Sequence, residues 1–481
     1  MLKHLSSHDE FISSLSDCIK VLPASDIRRL QFDPFDSALL KVQLLNFDVI
    51  HPILTPLYSH TGRPADNQIE ILRSFILMNH FGFTSVNKWV LAVKADHLYA
   101  ILAGYDPLYP APLGSYYDFM KRLWHTTDLN KIFPKDHFKK NTPKKLPANG
   151  EKLDNVPSGK TMQLMQHYLD LVGTPDPDRP ELILQELFTQ LVLLPSIDRE
   201  LIDADQAIIS LDGSSLHIHS DHRGHPVDEQ DSMRRYSDPH ADWGWDSHEE
   251  KIYFGYSFFS ISAYSSNLSI DLPLFFTINP ASQHDSVSLF PALAQFRSLC
   301  PSIKIKHLCA DSAFDNKATF LLCKNWNITP VIDQNPRNTG KKRINDDITI
   351  NEQGTPVCQA GYEMTYDGYC PSRNRHKYRC PHKTKKVDHC DCQDQCSKSP
   401  YGRTVYRKGS DDPRYLSELV YKSEKWKAIY KNRTSNERVN NRVLNNYHVE
   451  KMNMHTDARY TFFTMLACIN IHLDAWIKAS K

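Results

Sequence analysis

Hydrophobic positions change their period several times along the chain, and each change marks a boundary. Over residues 36–124 they recur every three to four residues, as at Ile69, Leu72, Phe75 and Ile76, with aromatic punctuation at Phe81, Phe83, Tyr99, Tyr105 and Tyr109. This spacing puts apolar side chains on one face of successive helices, and it predicts a helical N-terminal domain over residues 1–130. Periodicity lapses over residues 133–159, where Lys, Pro, Asn and Gly dominate. Residues 131–160 are therefore expected to be a basic linker. A further helical stretch covers residues 160–198.

The texture then becomes that of strands. Residues 207–211 form a short apolar run that ends in Asp212 and Gly213; residues 251–261 are aromatic and rich in β-formers; residues 272–278 are apolar; residues 303–309 end beside Asp311. Residues 314–326 predict a helix and residues 329–332 a strand. Strands alternating with helices predict an α/β core, with its first part at 161–334. Periodicity disappears again over residues 335–412, which are expected to be a cysteine-rich insertion. Helical spacing returns over residues 416–451, and the apolar stretch 458–479 predicts a helix that closes the core, so 413–481 forms its C-terminal part.

Composition narrows the class without naming a function. Of 481 residues, 41% are hydrophobic and 23% charged, the balance of a chain that folds throughout. The net charge of +1 excludes a uniformly basic protein, so any nucleic-acid surface has to be local. Two stretches qualify, the lysines at 131–152 and residues 373–386; a run of this kind is more often a solvated face or linker than a DNA contact. Residues 1–22 mix charged and apolar positions and lack a signal-type apolar core. No run of about 18 apolar residues occurs, so no membrane span is expected, and the expected compartment is the cytoplasm.

Candidate chemistry begins with carboxylates. Asp212 and Asp311 each end a predicted strand, and Glu437 lies on a later helix. Strand C-termini and helix faces meet at one edge of an α/β sheet, so the three can converge. Carboxylates brought together this way hold two divalent cations, Mg²⁺ or Mn²⁺, which activate an attacking oxygen and stabilise a leaving one at a phosphodiester. The alternative for Asp212 is a turn former followed by Gly. Residues Tyr430 and Arg433 lie seven and four positions before Glu437, on the same helical face. That stripe suits contacts to phosphate oxygens by Tyr430 and Arg433, or else a surface ion-pair ladder.

These blocks resemble those of a known family. The run Ser210-Leu211-Asp212-Gly213-Ser214-Ser215 resembles the first catalytic block of bacterial insertion-sequence DDE transposases. A second block is similar to Ala310-Asp311-Ser312-Ala313-Phe314-Asp315 with the strand at 329–332 and Asn335-Pro336-Arg337. The third, from Tyr430 through Arg433 to Glu437, resembles their Tyr, Arg, Glu signature. The resemblance implies an RNase H-like catalytic core and metal-dependent cleavage of DNA at insertion-sequence ends, followed by strand transfer. It also implies a homo-oligomer on transposon-end and target DNA. Gly62-Arg63-Pro64-Ala65 resembles part of the family's N-terminal domain, so residues 1–130 are expected to bind DNA ends, and the stretches 243–245, 254–256 and 280–286 resemble its segments between the first two carboxylates. His284 and Asp285 are then either supports for the metal ligands or a cap for a helix near Ser286, with Asp285 at the N-cap. One departure stands out: the family's Lys seven residues after Glu is Leu444 here, with Arg438 or Lys451 as substitutes. A nuclease on the same core and a catalytically silent DNA-binding protein are the competing readings.

Six of the eleven cysteines crowd into the insertion. Cys380, Cys390, Cys392 and Cys396, with His382 and His389 nearby, supply enough soft ligands for one tetrahedral structural Zn²⁺. No pair has two-residue spacing, so packed or free thiols are the alternative.

Overall fold

The computed structural model describes all residues except 1, 4, 126–130, 139–158, 172, 174, 248, 336–342, 346, 352–353, 391–395, 410–411, 413, 415–418 and 481. The architecture is mixed α/β with a helical N-terminal region. Its centre is a six-stranded sheet built from β1 (Ala207–His217), β2 (Asp242–Asp246), β3 (Lys251–Ser265), β4 (Ile270–Pro280), β5 (Ile305–Ala310) and β6 (Thr329–Ile332). The hydrogen-bonded order is β2-β3-β1-β5-β6, and β4 also pairs with β3. Strands β1, β3 and β4 run antiparallel to their neighbours in turn, whereas β5 and β6 join parallel to β1.

Burial on both faces explains why the central strands read as nearly unbroken apolar runs. Phe275 meets Phe296 of helix α3 (Asp285–Leu299) on one face. The next residue, Phe276, points to the other face and meets Phe188. That second face carries helix α4 (Thr434–Asn441) and helix α5 (Asp457–Ala479).

The N-terminal helices pack directly on α5. Helices α1 (Phe35–Leu44) and α2 (Gln68–His80) both contact it. Phe75 sets its ring 4.9 Å from Phe462, and Asn470 Nδ2 donates to Asn79 Oδ1 at 3.0 Å and to the Ile76 carbonyl at 3.1 Å. One apolar core therefore runs without a break from Phe11 to Trp476.

Residues 131–160 include the strand Ile132–Pro134, paired antiparallel with Met233–Arg235. The remainder of the Lys-rich stretch, 139–158, lies outside the described residues. The insertion is not irregular as its composition predicts. It contains a three-stranded sheet of β7 (Thr365–Cys370), β8 (Arg375–Arg379) and β9 (Thr404–Lys408) over a small core of Ile348, Met364, Tyr378 and Val405. On β8 the charged Arg375, Lys377 and Arg379 alternate with His376 and Tyr378, so its period-2 pattern carries no apolar run, and β7 and β9 are short and mostly polar or aromatic. Among the described residues, no helix is long and apolar enough to cross a membrane.

Candidate active site

Parallel pairing aligns the two aspartates. Ser210 on β1 is in register with Cys309 on β5, and Asp212 and Asp311 each follow two residues later, so they reach the same sheet edge side by side. Asp212 is held near pH-neutral titration, its carboxyl pushed up to about 7 by burial first, then by the negative charges of Asp311 and Asp285. The Gly213 N–H, donating to Asp212 Oδ1 at 2.9 Å, and the Arg433 guanidinium pull the other way. Asp311 accepts from the Ala313 N–H at 2.9 Å and so caps the short 3₁₀ turn that ends β5.

Asp285 is the third carboxylate of this neighbourhood. It is the first residue of α3, and the N-cap is His284, whose side chain accepts from the Ser286 N–H. The expected capping role of Asp285 is thus taken by its neighbour. Burial pushes the Asp285 carboxyl up to about 6, and Asp311 adds to the rise. Its approach to the sheet requires Gly213: a Cβ there would lie 2.0 Å from Asp285 Oδ1.

Helix α4 brings Glu437 and is fixed to the sheet by a polar seam. Ser260 Oγ shares its one proton between Asn440 Oδ1 at 2.7 Å and Asn436 Oδ1 at 3.1 Å. Asn436 Nδ2 donates to the Asp212 carbonyl at 3.3 Å, and Ser262 reaches Ser435 at 3.4 Å. These groups are buried, so each bond left unmade would cost the full desolvation of its partner. On the outer side, Arg438 grips Asp271 with two bonds of 2.5 and 2.8 Å. The seam was missed in the sequence, although serines two apart on β3 facing asparagines four apart on a helix do carry its signal.

Tyr430, Arg433 and Glu437 are contiguous in space, as their spacing predicts. Arg433 Nη1 lies 2.7 Å from Glu437 Oε1, and its guanidinium stands 5.9 Å above the Tyr430 ring. Tyr430 in turn stacks on Trp426 at 4.4 Å. Arg433 sits in the field of Asp212 as well as Glu437, and thus links the helix carboxylate electrostatically to the strand pair. Glu437 is half exposed and is turned to Arg433.

Residues 203–473, more than half of the chain, match the family model described as the transposase DDE domain. The chain belongs to this family. No curated protein gives a match.

Within this transposase DDE domain, burial accounts for the departure at Leu444. This side chain is 6% exposed and packs in the main core, within the π-helical turn Arg442–Asn446 that continues α4. A lysine there would face the interior. Arg438 is committed to Asp271, and Lys451 ends a separate 3₁₀ turn, Val449–Lys451.

Of the proposed zinc ligands, Cys392 lies outside the described residues. Cys380 is buried, and Cys390 and Cys396 are partly exposed; all three are unpaired thiols. Among the described residues, the cluster with three metal-ligand types within 4.8 Å is His217, Asp246 and Glu249. Its groups are already satisfied: Asp246 takes bonds from Ser215, His217 and the Glu249 N–H, and Glu249 pairs with Lys251.

Proposed function

We propose that this transposase cleaves DNA at insertion-sequence ends and transfers the strands to target DNA, using Asp212, Asp311 and Glu437 as its metal-binding catalytic carboxylates. The observation that carries this reading is the parallel register that places Asp212 beside Asp311, with their repulsion and burial raising the Asp212 carboxyl to about 7. A divalent cation relieves that repulsion, and the all-oxygen donor set suits Mg²⁺ or Mn²⁺. When bound in a pair, such ions supply activation of the attacking oxygen and stabilisation of the leaving one.

The chain's own residues position the DNA for this chemistry. Arg433 presents a planar fork to a phosphate oxygen and exchanges Glu437 for it, which frees Glu437 to turn to the aspartates. Tyr430, clamped on Trp426, limits where the phosphate sits. Asn436 and Asn440 hold α4 at fixed height above β1 and β3. The strand order β4-β3-β1-β5-β6, three antiparallel strands followed by two parallel ones, supports an RNase H-like core.

The test is incubation of the protein with the DNA that flanks its gene, searched first for inverted repeats. Mg²⁺-dependent nicking at the repeat ends and covalent joining to a second DNA are expected. Nicking without joining would assign a nuclease, and DNA binding without either would assign a silent relative.

A further inference from the structure

We propose that the outer face of the β7-β8-β9 sheet in the insertion is a DNA-contacting surface, which follows the phosphate backbone with a row of cations braced on tyrosine rings. The inference rests on the reading that the protein acts on DNA, and adds where part of that DNA lies.

Charge is the first observation. Residues 356–408 carry eleven Lys and Arg against five Asp and Glu, a net of +6, in a chain whose total is +1. The rest of the molecule is therefore net acidic, and the insertion is where a polyanion gains most.

Strand geometry then sorts these cations onto one side. On β8, His376 and Tyr378 are buried at 1% and 3% exposure, so the alternating Arg375, Lys377 and Arg379 point outward. On β9, Val405 and Arg407 are buried while Tyr406 and Lys408 are exposed. The register pairs Arg375 with Lys408 and Lys377 with Tyr406, which makes a continuous basic and aromatic face. Asp367 partly neutralises it, pairing with Lys377 Nζ at 2.7 Å and Arg379 Nη1 at 3.7 Å. The Lys377 pair is partly exposed, at 39% and 28%, and a solvent-accessible pair of this kind is weak enough to exchange for phosphate.

Two arginines are prepared in a particular way. The Arg375 guanidinium lies 3.8 Å over the Tyr406 ring, and that of Arg379 lies 4.7 Å over Tyr401. The Nε atoms of both are buried and have no hydrogen-bond partner among the described residues. Stacking restricts each side chain before any ligand arrives, so less entropy is lost when its fork takes an anion.

The experiment measures binding of the full-length protein to a labelled random-sequence duplex over a range of KCl concentrations. The triple variant Arg375→Gln, Lys377→Gln, Lys408→Gln should lose about 10- to 100-fold in affinity at low salt, and its slope of log affinity against log salt should flatten by about 0.9 for each phosphate contact removed. A matched triple, Lys304→Gln, Lys306→Gln, Lys324→Gln, on exposed lysines of the core, should leave affinity and slope as in the wild type. Lys408→Glu, at an exposed position, should weaken binding on its own and guards against a misfolded triple. Wild-type affinity and slope in a natively melting insertion triple would overturn the proposal, as would equal losses in both triples. Displacement of the duplex by polyglutamate at equal charge concentration would reassign the face to acidic proteins. A wild-type protein that binds no duplex at all would sink the DNA reading itself, a result distinct from loss of the patch effect alone.

Discussion

Lys41 Nζ lies 2.7 Å from Asp474 Oδ1, and this contact ties the N-terminal helices to the last helix of the chain. Lys41 is 1% exposed, and its ammonium also meets Asn470 Oδ1 at 3.0 Å and His80 Nδ1 at 3.1 Å. Asp474 is shared with Arg442 at 2.8 Å, five residues beyond Glu437. Burial lowers the Lys41 ammonium's pKa, and Asp474 opposes that shift. Lys41→Met keeps the volume but removes the cation, leaving Asp474 with Arg442 and Tyr447. Breaking a fully buried pair costs about 3–5 kcal/mol; Asp474 is 34% exposed and keeps its other partners, so a smaller loss of about 1–2 kcal/mol is expected in urea denaturation. An unchanged midpoint would show that the pair contributes nothing net.

Asp212→Ala, Asp311→Ala and Glu437→Ala should each reduce DNA cleavage by about 10³-fold or more, since metal ligands act together on the reacting phosphate. Duplex binding should stay within a few-fold of wild type. Cleavage and gel-shift assays on the same DNA separate the two effects, and a variant cleaving at the normal rate would remove that residue from the site.

The raised carboxyl of Asp212 predicts a pH effect on the metal-free protein. Its folded value of about 7 lies above the ordinary 3.8, so the folded state holds the proton more tightly than the unfolded chain. The resulting stabilisation is complete below the unfolded value and is lost as pH rises through about 7. At 1.36 kcal/mol per unit, the loss between these limits is at most about 4 kcal/mol. Asp212→Asn should therefore raise the melting temperature of metal-free protein at pH 8 by several degrees and leave it nearly unchanged at pH 4. Mg²⁺ should stabilise the wild type at pH 8 far more than the variant. Identical melting of the two proteins at both pH values would contradict the assignment.

Arg433→Ala should weaken cleavage and low-salt DNA binding together, because it removes a phosphate contact as well as the partner of Glu437. The binding defect should shrink as salt rises. Normal binding combined with normal cleavage would return the Arg433–Glu437 pair to a surface ion bridge.

Restoring the family's lysine at Leu444 should do harm. Leu444→Lys would bury an ammonium without a partner in the main core, and a loss of several kcal/mol is expected. Thermal melting measures this, and a stable variant with tighter DNA binding would show that the site is open to the ligand.

Much of the candidate site was legible because its residues end or punctuate strongly periodic elements. Asp212 and Asp311 close apolar strands, and Tyr430, Arg433 and Glu437 keep helical spacing even though a 3₁₀ turn interrupts the helix at residues 431–433. Asp285 was ambiguous because a carboxylate at the first turn of a helix looks like a cap; only the space left by Gly213 shows that it faces the aspartates. The Ser and Asn seam was invisible because each member is an ordinary polar residue until sheet register pairs them. The insertion strands were hidden because they are short and carry few aliphatic residues: on β8 the inward positions are His376 and Tyr378, between Arg and Lys. The junction between N-terminal helices and core was also out of reach, because contacts such as Lys41 with Asp474 join positions far apart in the chain.

The unbroken core from Phe11 to Trp476 has a consequence for how a site is measured. Phe75 packs on Phe462 and Lys41 pairs with Asp474, so among the described residues the first helices and the helix bundle behind Glu437 share one packed interior. A duplex gripped at the N-terminal end would meet the carboxylates at a constant offset, as between the fixed jaws of a gauge. Adding one base pair between the gripped sequence and the scissile bond would shift that bond by about 3.4 Å along the axis, and a rigid frame has no means of following it.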